Sequence, residues 1–73
     1  MAENIQPGDR VRVYLESNFW GTQGWFDGIV LRIDPYSKYR SFYWVEMDVE
    51  LTSTQGGKTS LVSVLNPKNI EKI

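Results

Sequence analysis

The sequence predicts a small all-β domain whose strands close into a barrel, and three observations carry this expectation. Directly after Gly8-Asp9, Val11 and Val13 alternate with Arg10 and Arg12. Further on, Tyr43, Val45, Met47, Val49 and Leu51 alternate with Trp44, Glu46, Asp48 and Glu50. Alternation with period two sends neighbouring side chains to opposite sides of an extended chain, so each stretch reads as a half-buried strand. The third observation is length: 73 residues without a cysteine make one domain that must be held by its own core.

Taken in order, the first strand runs from about Asp9 to Leu15, launched by the turn signal Gly8-Asp9. Glu16 to Gly24 is polar and glycine-containing but carries Phe19 and Trp20, which predicts a long loop folded back on the barrel. A second strand spans about Trp25 to Ile33, with Gly28 as the expected bulge or tight bend. Asp34-Pro35-Tyr36-Ser37 has turn composition, and Lys38 to Ser41 extends the connection. The third strand is the alternating run from Tyr43 to Leu51, facing the core through Tyr43, Val45, Met47, Val49 and Leu51. Thr52 to Lys58, with Gly56-Gly57, reads as a hairpin tip. Thr59 to Leu65 forms a fourth strand of open facing, because Leu61, Val62, Val64 and Leu65 occupy both parities. In Asn66-Pro67-Lys68-Asn69, Asn66 suits a cap and Pro67 the first helical position, giving one helical turn. Ile70 and Ile73 belong to a short closing strand. Five short strands, a long first loop and a helical turn before the last strand describe a five-stranded SH3-like barrel, in which closure removes exposed edges.

Composition narrows function by exclusion. Without cysteine there is no disulfide, thiol nucleophile or thiolate metal site, and without histidine the commonest general base and metal ligand is missing. Eight basic and nine acidic residues give a net charge of −1, which is no footprint for bulk nucleic-acid binding. No apolar run reaches the ~20 residues of a membrane span. Met1-Ala2-Glu3-Asn4 lacks the basic start and apolar stretch of a signal peptide, so a soluble, cytoplasmic or stromal protein is expected. Gly56-Gly57-Lys58-Thr59 echoes the tail of a phosphate-binding loop, but the motif's first glycine is absent and a strand follows. The expectation is a non-enzyme with no catalytic residues, no metal, no cofactor and no small-molecule substrate.

Four groups of residues could carry binding. Arg32, Tyr36, Lys38, Tyr39, Arg40 and Trp44 interleave cations with aromatics around the second turn. Such a set suits stacking on bases or a protein hot spot, and equally an aromatic lid over the barrel end. Arg10 and Arg12, with Arg32 on the neighbouring strand, could meet an acidic partner through forked hydrogen bonds, or pair with carboxylates across the ladder. Glu46, Asp48 and Glu50 put three acids on one face at about 6.8 Å spacing, which reads as a solvated face salt-bridged to Arg10 and Arg12 rather than as a metal or acid–base site. Phe19-Trp20 and Trp25-Phe26 invite comparison with proline-rich-peptide grooves, but the Ala-Leu-Tyr-Asp-Tyr opening is absent. One ring of each pair is expected to point inward.

The stretches Gly8-Asp9-Arg10-Val11-Arg12-Val13, Glu16-Ser17-Asn18-Phe19-Trp20 and Gly28-Ile29-Val30 resemble the opening of small SH3-like barrel proteins of oxygenic photosynthesis. These are the stromal barrel subunit of photosystem I, the ferredoxin–thioredoxin reductase variable chain and the ferredoxin-docking subunit of the photosynthetic NDH complex. The likeness covers residues 8–33, with an asparagine inserted in Glu-Ser-Asn-Phe-Trp, and ends after Ile33. It implies a non-catalytic barrel sitting on an electron-transfer assembly. Gly-Asp-x-Val-x-Val followed by Gly-x-Val is also similar to the KOW barrels of translation and transcription, which implies the alternative of a nucleic-acid-associated barrel. The leading expectation is therefore a protein-interaction module that docks on a multisubunit complex or an acidic electron carrier, through the Arg32–Trp44 connection and the Arg10/Arg12 face.

Overall fold

The computed structural model describes residues 5–73; Met1 to Asn4, on which the reading of the N-terminus rested, lie outside them. Five strands follow one another as β1 (Arg10–Leu15), β2 (Gly24–Pro35), β3 (Ser41–Thr52), β4 (Lys58–Val64) and β5 (Ile70–Lys72), with a 3-10 turn at Pro67–Asn69 before the last. All ladders are antiparallel, and the sheet order is β4-β3-β2-β1-β5. The all-β class, the five strands and the helical turn are as expected. Closure is not: β4 and β5 remain the two edges of one curved sheet, with no ladder between them. The three residues of β5 are fully used in pairing with β1, and Pro67 breaks the extended run that would carry β4 across.

The two edges are joined by side chains instead. Val11, Val13 and Leu15 of β1, Val30 of β2, Val45, Met47 and Leu51 of β3, Val62 and Val64 of β4, Ile70 of β5 and Ile5 form one buried cluster. Trp20, Phe26, Ile33 and Tyr43 pack around it. Among the described residues no polar or charged residue is buried in this core. The parity left open in β4 resolves with Val62 and Val64 inward and Leu61 outward.

Chain entry and exit obey local chemistry. Gln6 and Asp9 close a turn through Asp9 N–H donating to the Gln6 carbonyl at 3.1 Å, with Gly8 at φ 93°. Asn66 caps the 3-10 turn, its Oδ1 accepting from the Lys68 N–H at 3.0 Å, and Pro67 occupies the first turn. In the β3–β4 hairpin Gly57 N–H donates to Ser53 Oγ at 3.1 Å, which confirms the tip around Gly56-Gly57.

Two expectations about the strands need correction. Gly28 is not a bulge but a regular ladder residue, opposite Val11 on one side and Met47 on the other. Its lack of a side chain serves close approach: a Cβ there would lie 2.6 Å from the Glu46 carbonyl oxygen and 2.7 Å from Val45 Cγ1. The register shift lies three residues on, between Val30 and Arg32; Leu31, 53% exposed, faces out with Ile29, and past the shift Arg32 is exposed while Ile33 packs on the core. Val49 shares parity with Met47 and Leu51 yet is 48% exposed, because the β3–β4 register is interrupted between Glu46 and Leu51 and β4 does not cover it.

Candidate functional site

The outer surface of the sheet is where most of the candidate residues meet. Arg10 lies on β1 and reaches over β2 to Asp48 on β3, with Nη1–Oδ1 at 2.9 Å and Nη2–Oδ2 at 2.7 Å. The fork raises the affinity of Arg10 for its proton and holds the Asp48 carboxyl below the ordinary carboxylate range, the hydrogen bonds being the main cause in both. Arg12 takes a different partner from the one expected. It donates to Glu71 on β5 at 2.9 Å, because β5 rather than β3 flanks β1 on that side, and its guanidinium lies 4.8 Å from the Trp25 ring centre.

Arg32 does not join this pair of arginines. Ile29, not Arg32, stands opposite Arg10 in the register. Arg32 faces Trp44 instead, with its guanidinium 5.7 Å from the indole and 2.9 Å from the Asp34 carboxylate. Asp34 Oδ2 also accepts from Trp44 Nε1 at 3.0 Å, so one carboxylate fixes both the indole and the guanidinium. The expected triple-arginine surface is thus three separate ion pairs, each satisfied within the chain.

Glu46, Asp48 and Glu50 do not converge. Glu46 accepts the Ser60 hydroxyl, Asp48 belongs to Arg10, and among the described residues no cluster of acids is arranged to hold a metal ion. The aromatic pairs divide as expected: Trp20 and Phe26 pack on the core, while Phe19 and Trp25 are 54% and 40% exposed. Trp25 rests edge-on against Tyr14, whose hydroxyl accepts from Gln23 Nε2 at 2.8 Å.

The β2–β3 turn is a different environment. Tyr36 and Ser37 N–H groups both donate to the Arg40 carbonyl at 3.0 Å, which folds residues 36–40 into a tight tip. Tyr36, edge-on to Phe42, is 62% exposed, and Tyr39 is 86% exposed with the Lys38 ammonium 5.7 Å from its ring centre. Neither Lys38 nor Arg40 meets a carboxylate among the described residues. These tyrosines do not lid the core; they project from it.

Several surface residues escaped the sequence reading. Ile29, Leu31 and Leu61 stand exposed, and Leu31, Arg32, Trp44 and Leu61 line a shallow hollow of about 360 Å³. The signal was available in part: if Val30 shares the inward parity of Val11 and Val13, its neighbours Ile29 and Leu31 must face out.

No family model matches the chain, and neither a curated protein nor a solved structure matches it significantly. No helix is long and apolar enough to cross a membrane among the described residues.

Proposed function

We propose that the protein is a non-catalytic interaction module that docks on a larger protein assembly through the tip of its β2–β3 turn. The observation that carries this reading is the pairing of two uncompensated cations, Lys38 and Arg40, with two projecting rings, Tyr36 and Tyr39. Tyrosine and arginine are enriched at binding hot spots, and the net positive tip suits an acidic partner. Arg32 and Trp44, both hydrogen-bonded to Asp34, stand at the base of the tip.

The resemblance of residues 8–33 to barrel subunits of photosynthetic complexes makes an electron-transfer assembly the favoured host and ferredoxin the favoured acidic partner. The affinity for ferredoxin of the native chain and of Lys38→Ala/Arg40→Ala tests this. A several-fold loss, carried mainly by the association rate and shrinking with salt, is expected. Equal affinity removes the reading. Protein is favoured over nucleic acid as partner because Arg10, Arg12 and Arg32 are each engaged by a carboxylate, leaving few cations for phosphates.

A further inference from the structure

We infer that the outer face of the sheet around Ile29 is a second docking surface, for a protein surface in which lysine or arginine flanks apolar side chains. The register lays Arg10, Ile29, Glu46 and Leu61 in one row across four strands. Beside that row Leu31 also faces outward, next to Trp44. Ile29, Leu31 and Leu61 are 37%, 53% and 41% exposed, so the middle of the face is aliphatic where a solvated sheet would alternate to polar. The aromatic wall of the hollow is fixed in advance, since Trp44 is hydrogen-bonded to Asp34 and overlaid by Arg32. A partner would therefore meet an ordered surface.

Charge selects the occupant. Around Ile29 the face carries three guanidiniums, Arg10, Arg12 and Arg32, against five carboxylates, Asp27, Asp34, Glu46, Asp48 and Glu71, with Glu50 and Lys58 farther along β3 and β4. Asp48, Glu71 and Asp34 neutralise the arginines one for one. Asp27 and Glu46 meet no cation within ion-pair distance among the described residues. They border Ile29, one two residues along β2 and the other directly across on β3. The surplus next to the aliphatic centre is negative, opposite in sign to the turn tip. Complementary potential thus calls for a cationic, apolar partner here and an acidic one at the tip. A second copy offering its own tip would fit the sign too. That contact is head-to-tail, however, and would extend into chains unless its rotation closed a ring.

The test is amide-shift mapping of the isotope-labelled full chain. One probe is a capped amphipathic helical peptide with a leucine face bordered by lysines; the other is the same peptide with glutamates for lysines. Shifts centred on Ile29, Leu31, Glu46 and Leu61, with about tenfold preference for the lysine peptide, are expected. Asp27→Lys/Glu46→Lys should reverse that preference while the rest of the amide spectrum stays native. Equal binding of both peptides, shifts confined to residues 36–42, or no shifts at millimolar peptide would overturn the inference. Concentration-dependent shifts of this face without peptide would overturn it in favour of self-association. None of these results bears on ferredoxin binding at the tip, which is read separately.

Discussion

Asp48 is held by Arg10 across an intervening strand, at 2.9 and 2.7 Å, so that β1 and β3 are clasped over the outside of β2. Beneath this clasp, Gly28 on β2 brings the backbones together on the inside. The packing of β1, β2 and β3 therefore has a device on each face: a fork outside and a missing side chain within.

Gly28→Ala tests the inner device. The added methyl meets backbone on β3 rather than a flexible side-chain end, so the sheet must shift to admit it. Destabilisation of about 1–3 kcal/mol, read as a lower urea midpoint, is expected. A change under about 0.5 kcal/mol, the usual range for neutral surface positions, would show that the approach is easily relaxed.

The outer device makes stability depend on pH. Asp48 is shifted below the ordinary carboxylate range chiefly by the Arg10 hydrogen bonds, and Asp9 chiefly by the Gln6 N–H, helped by Lys72. A carboxyl depressed in the folded state contributes stability that is fully present above its unfolded value, about 4, and lost as pH falls through its folded value. The urea midpoint should hold steady from neutrality to about pH 5 and decline below about 4. Arg10→Ala should return Asp48 to the ordinary range in a carboxyl NMR titration and make the acid decline shallower.

Val49 and Leu51 share a strand parity but not an environment. Leu51 is 3% exposed and Val49 48% exposed. Leu51→Ala should therefore cost about 2–5 kcal/mol, and Val49→Ala less than about 0.5 kcal/mol. Comparable losses in thermal or urea unfolding would place Val49 in the core after all.

Much of the scaffold was legible because burial imposes period two. Val11, Val13, Val45 and Met47 read directly as inward positions, and Asn66-Pro67 reads as the capped turn it is. What could not be read depends on breaks in that period. The bulge between Val30 and Arg32 brings Ile33 onto the core against the parity set by Val30, and the interrupted ladder opposite Val49 leaves an apolar residue exposed; neither has a local signal, since hydrophobicity is the same on either side of a register shift. Partner choice was equally hidden. Arg12 could be expected to reach a β3 acid until the short β5 supplied Glu71, and Asp34, read as a turn residue, orders both Arg32 and Trp44. Of the binding residues, Tyr36, Lys38, Tyr39 and Arg40 stand together at an exposed tip, whereas Arg10 and Arg12 are committed to internal ion pairs.

The central claim, that a rigid sheet presents a cationic aromatic tip to an acidic protein, is tested most directly by titrating the isotope-labelled chain with ferredoxin at low and high salt. Amide shifts should centre on residues 36–40, spread to Arg32 and Trp44, and fade as salt rises. An unperturbed spectrum at low salt, or shifts that spare the tip and gather elsewhere on the sheet, would contradict it.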